Sequence, residues 1–184
     1  MNSIIIESGM NLIADNIFHI EKSPLYKRLD NNIKSVEFIR AKNNKLIFVE
    51  AKSSFPNPNN PMSNIEKGSK NGAELFRAEI VDICDKFIHS LNLYAAVAVG
   101  ATDDSFPFNY NPPDKASLQF ILIIKSFEKS WCDEIEKALM NLMRNSVCIS
   151  KIWKPEVFVI NDEIATCHGI VSGSNSVNTR GVFK

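Results

Sequence analysis

Little in this chain marks a specialised class, and each absence narrows what it can be. Its apolar runs are short: residues 120–124 and 93–99 fall far below the roughly 20 residues that span a bilayer. No membrane partner is expected. No basic flank followed by an apolar run and a small-residue cleavage site opens the sequence, so no secretory leader is expected. Neither charge sign is in excess: 21 Lys and Arg balance 21 Asp and Glu. That excludes the strongly basic composition of an indiscriminate nucleic-acid coat protein. The four cysteines, at 84, 132, 148 and 167, show no C-x-x-C spacing, so neither a zinc knuckle nor a redox dithiol is signalled. Cys84 and Cys148 are expected as core or near-core thiols, and the protein as reduced and cytoplasmic. His19, His89 and His168 stand alone without metal-ligand spacing. Gly-rich phosphate loops, Gly-x-Ser-x-Gly and His-Glu-x-x-His are missing too.

What is present is an ordinary globular composition over 184 residues, the length of one domain with its own core. The expectation is one α/β domain over residues 1–171, with a mixed β-sheet flanked by helices, and a polar tail over 172–184. Residues 4–13 read as a weakly amphipathic helix and 17–21 as a short strand. Ser23-Pro24 reads as an N-cap followed by a proline at the first helical position. Residues 35–41 and 45–52 are β-rich runs separated by the turn signal Asn43-Asn44. Residues 53–72 form a long Pro-, Gly- and Asn-rich loop, expected to be the least protected internal segment and a flap over the site. Residues 73–91 carry Phe76, Ile80, Ile83, Phe87 and Leu91 at helical steps. Residues 93–99 then read as a buried strand, parallel to 45–52 after a crossover. A second loop, 100–115, is expected to fold its aromatics Phe106, Phe108 and Tyr110 over the sheet. Residues 117–125 read as a strand, 131–144 as a helix, 156–161 as a last strand and 162–169 as a helical turn.

Register is the most informative feature. A hairpin centred on Asn43-Asn44 sets Ala41 opposite Leu46, Ile39 opposite Phe48 and Glu37 opposite Glu50. Lys52 shares their face, because side chains alternate along a strand. Two carboxylates directly opposed sit about 5 Å apart and repel. Relief requires a shared proton, a bridging Lys52 or a divalent cation, and the residues leave all three open. Over residues 21–52, eight Lys or Arg also stand against four acids, an excess able to steer a phosphate backbone or to form a solvated face.

Val36-Glu37, twelve residues, then Glu50-Ala51-Lys52 resembles the PD-(D/E)xK nuclease superfamily, the restriction-endonuclease-like fold. The resemblance spans about residues 4–99. It implies a helix, a three-strand meander, a crossover helix and a further strand. It also implies that Glu37 and Glu50 hold Mg²⁺ or Mn²⁺ with help from the Ala51 carbonyl, while Lys52 positions the attacking water. The acid that some members carry on the first helix would be Glu7, or its role would fall to Glu21. The pattern departs from the family where Glu replaces the commoner Asp at 37, where no proline precedes it, and where a glutamine-and-tyrosine motif is absent from the crossover helix. The expected function is a metal-dependent nuclease acting on DNA or RNA, and the alternative is an inactive binding or regulatory module of the same fold. A chain this small would gain substrate surface by pairing with a second copy, so a homo-oligomer is among the expected partners.

Overall fold

The structure is a computed structural model, and it describes residues 3–29, 33–56 and 72–172. Most of the expected 53–72 flap and the tail after Ser172 lie outside these. The chain opens with a two-stranded antiparallel hairpin, β1 (Ser3–Glu7) and β2 (Met10–Ala14), where a helix is expected. Ser8 and Gly9, both at positive φ, close it as a two-residue turn. Period-two burial decides for strands: Ile4 and Ile6 are exposed, while Ile5 packs inward beside Met10 and Leu12. Glu7 therefore ends a strand instead of lying on a helix.

A five-stranded sheet follows, in the order β3 (Ile17–Phe18), β4 (Phe38–Lys42), β5 (Lys45–Lys52), β6 (Ser117–Ile124), β7 (Glu156–Asn161). β3, β4 and β5 form an antiparallel meander, and β6 and β7 run parallel to β5. Between β3 and β4 lies α1 (Pro24–Arg28), whose N-cap Ser23 Oγ accepts from the Tyr26 amide and whose first residue is the expected proline.

The crossover from β5 to β6 runs through α2 (Gly72–Ala98). This helix absorbs residues 93–98, so the expected strand there does not exist, and β6 is the strand parallel to β5. The apolar stripe simply continues: Phe87, Leu91, Tyr94 and Val97 are buried at helical steps. Only at Gly100, with φ +67°, does the chain turn off. There Ala101 N donates to Ala96 O and Gly100 N to Val97 O, a Schellman ending.

α2 and α3 (Lys129–Arg144) cover one face of the sheet around Ile39, Phe48, Ile83, Phe87, Phe120, Ile135 and Leu139. The β1–β2 hairpin and α4 (Asp162–Cys167) cover the other, around Leu12, Phe38, Val49, Ile121, Ile123 and Ala165. Phe106 and Tyr110 fold onto Phe18 and Tyr94 as expected. Phe108 departs from the expectation and stands fully in solvent. The buried thiols are Cys84 and Cys132, and Cys148 is exposed. Its place in a helical turn after α3, at Cys148–Trp153, turns Ile149 inward in its stead. Among the described residues no helix is long and apolar enough to cross a membrane.

Candidate functional site

Asn43 and Asn44 both adopt left-handed backbone, φ 51° and 56°, the geometry of a two-residue hairpin turn. The pairing follows the expected register, Ala41 with Leu46, Ile39 with Phe48 and Phe38 with Val49. One further step would bring Glu37 opposite Glu50. Glu37 itself stands in a bend just before β4, outside the paired strand. Its approach is fixed from the helix side. The Val36 amide donates to Ser90 Oγ at 2.9 Å in a fully buried bond, and the Lys34 amide donates to His89 Nδ1 at 3.3 Å. The Lys34 ammonium lies 3.1 Å from both Asp82 and Asp85. Helix α2 thus docks the strand that delivers Glu37.

Glu50 and Lys52 project from β5 toward the same helix. Glu50 is 0% exposed. Its Oε1 accepts from Lys86 Nζ at 2.6 Å, and Lys52 Nζ is farther off at 3.9 Å. Its Oε2 is buried with no hydrogen-bond partner among the described residues. Lys52 is held chiefly by Glu79, at 2.8 Å, with Asp82 at 3.9 Å. The nearest cation to Glu50 is therefore not Lys52 but Lys86, a residue that sequence reasoning missed. Its signal was available: Glu79, Asp82 and Lys86 sit three and four residues apart, alongside the apolar stripe Ile80, Ile83 and Phe87.

Burial dominates the electrostatics. It pushes Glu37 up to about 8, helped by the like charges of Glu50 and Glu7 and, more weakly, Glu21, against the pull of Lys86. It also pushes Glu50 up to about 7, against the pull of Lys86 and Lys52. Burial pulls the Lys86 ammonium down, but the combined attraction of Glu50, Glu37 and Asp82 outweighs it and the net direction is up. Both carboxyls are thus held above the usual carboxylate range, chiefly by burial.

The remaining predicted residues divide. Glu7 and Glu21 both act on Glu37 through space, and Glu21 Oε1 also accepts from Ser35 Oγ at 3.3 Å. The Ala51 carbonyl accepts from Ser8 Oγ at 2.8 Å, so the β1–β2 turn already engages it. His19 packs edge-on to Phe38, and His168 caps the end of α4.

Among the described residues, no three His, Cys, Asp or Glu side chains converge into a metal-binding group. The donor set that exists is a carboxylate pair, Glu37 and Glu50, with one buried oxygen lacking a partner. That fits a hard divalent cation, which takes one or two carboxylates and completes its shell with water. In comparisons with protein-family models, curated proteins and solved structures, no match to this chain is found.

Proposed function

We propose that this chain is a metal-dependent nuclease that hydrolyses phosphodiester bonds of DNA or RNA at Glu37, Glu50 and Lys52. The observation that carries the reading is the carboxylate pair at the meander's edge, with Glu50 Oε2 buried and, among the described residues, unpartnered. The strand order supports it: meander, crossover helix and parallel strand follow one another as the resemblance to PD-(D/E)xK nucleases implies. The hairpin in place of a first helix departs from it.

In this reading Glu37 and Glu50 would hold Mg²⁺ or Mn²⁺ as carboxylates, and Glu7 or Glu21 would add negative charge beside Glu37. The bound cation would supply charge stabilisation at the phosphate and a more acidic water. Lys52, drawn to Glu79 on one side and Glu50 on the other, would orient the attacking water. Cleavage of single- and double-stranded DNA and RNA with Mg²⁺ or Mn²⁺, wild type beside Lys52→Ala, tests the reading. Wild type should cleave at least one substrate. Lys52→Ala should still gain thermal stability from the metal, because an ammonium is not a ligand, but should lose cleavage.

One observation favours a second reading, an inactive binding or regulatory module. Lys86 Nζ, 2.6 Å from Glu50, already supplies a cation to this carboxylate. A wild type that neither cleaves nor shifts its melting temperature with Mg²⁺ or Mn²⁺ selects this module and removes the enzyme.

A further inference from the structure

The opposite face of the sheet carries a cleft that the nuclease reading does not use. Near the Asn43-Asn44 turn, the β1–β2 hairpin and α4 leave this face open. A hollow of about 410 Å³ lies there, lined on one side by Arg40, Lys42 and Lys45 and floored by Ile121, Phe158 and Ile160. That volume lies within the roughly 300–1,000 Å³ of small-molecule sites. No described Asp or Glu lines it.

Three features point to an anionic ligand. Lys42 and Lys45 are cross-strand partners, so two like charges face each other, an arrangement that destabilises a hairpin unless something offsets it. Among the described residues neither has an acidic partner within ion-pair distance. Arg40, 3% exposed, pairs with Asp15 and donates to the Gly169 carbonyl, yet its buried Nε has no acceptor. Beside them Phe158 is 38% exposed, a ring left open to a flat partner. Glu156, which accepts from Gln119 Nε2 at 2.5 Å, forms no ion pair with either lysine among the described residues. Residues 173–184 complement the patch poorly, carrying Arg180 and Lys184 and no acid.

We infer that this cleft binds a phosphate monoester carried on a flat aromatic body, the chemical class of a nucleoside monophosphate. The phosphate lies between Lys42 and Lys45 with an oxygen toward Arg40, and the ring lies on Phe158 against the isoleucine floor, as bases stack on exposed aromatics. The cleft and the Glu37–Glu50 pair occupy opposite faces, so the inference stands apart from any metal chemistry.

Calorimetric titration of the full chain in a chelator, with AMP, adenosine and inorganic phosphate as probes, tests it. AMP should bind saturably, with adenosine and phosphate each at least about tenfold weaker. The double variant Lys42→Gln/Lys45→Gln should weaken AMP at least about tenfold while melting no lower than wild type, because a repulsion has been removed. Phe158→Ala should weaken AMP and leave phosphate unchanged. The inference is overturned by no saturable AMP binding at millimolar concentration, by a double variant that binds AMP like wild type, or by adenosine binding as tightly as AMP.

Discussion

At the scale of single residues, the site is governed by the cost of charge in a dry place. Glu37 sits near 8 and Glu50 near 7 in the folded protein, while an exposed glutamate sits at 4.5. Between pH 4.5 and about 8, the folded form holds protons that the unfolded chain has released. The metal-free fold therefore loses stability as pH rises through that window. Glu37→Gln should flatten the slope and raise the metal-free melting temperature at pH 8 by roughly 2–4 °C, the shift that about 1 kcal/mol gives in a domain of this size. Added Mn²⁺ should flatten the slope in wild type but not in the variant. Lys86→Met should do the opposite. With its partner gone, Glu50 is neutral at low pH but is an uncompensated buried charge at high pH. The variant should unfold near wild type at pH 5 and be weaker by as much as about 3 kcal/mol at pH 8, read by denaturant titration.

At the scale of elements, α2 both covers the core and builds the site. Ser90 accepts the buried Val36 amide, so Ser90→Ala should leave that donor unsatisfied and cost about 1–3 kcal/mol. It should also loosen Glu37 and weaken metal binding more than a surface substitution of equal stability cost, by calorimetry. Much of this architecture was readable beforehand. The Asn43-Asn44 turn, the register up to Phe38, the Ser23-Pro24 helix start and the strand over Glu156–Asn161 all rest on local chemistry that tertiary contacts had no reason to override. Two elements were misread for the same reason. Short apolar runs do not declare their period, so Ile4-Ile5-Ile6 before Ser8-Gly9 passed for a helix, and the alanine-rich stretch after Leu93 passed for a strand. The helical spacing of Lys86 from Glu79 and Asp82 was in the sequence, but its pairing with Glu50 follows from how α2 packs on β5. Gly100→Ala tests where α2 ends. With nothing near its Cβ position, the substitution should cost only the left-handed backbone, about 1 kcal/mol by thermal melting.

At the scale of the whole molecule, a formal charge of zero conceals a division between faces. Between sheet and α2, acids and lysines interleave in ion pairs, whereas the cleft near the turn on the other face is lined by Arg40, Lys42 and Lys45. The two regions share no lining residues. Stabilisation by Mn²⁺ and by AMP should therefore add within about 0.5 kcal/mol when measured together, as independent sites do. A marked shortfall would mean that both ligands compete for one site.

The bond from Val36 to Ser90 spans 54 positions of sequence. Its consequence lies in time as much as in space. The β4–β5 hairpin can zip from its tight turn using neighbouring residues alone, and closing such a short loop is fast. Glu37 comes into the field of Glu50 only after α2 has returned across the sheet, which requires closing a loop of dozens of residues. Repulsion between the two carboxylates is thus confined to the last stage of assembly. Relieving it with Glu37→Gln should slow unfolding and leave the refolding rate nearly unchanged, a φ-value close to zero in stopped-flow chevrons at pH 8. The acids at the heart of the candidate site would then shorten the lifetime of the native state without obstructing the route to it.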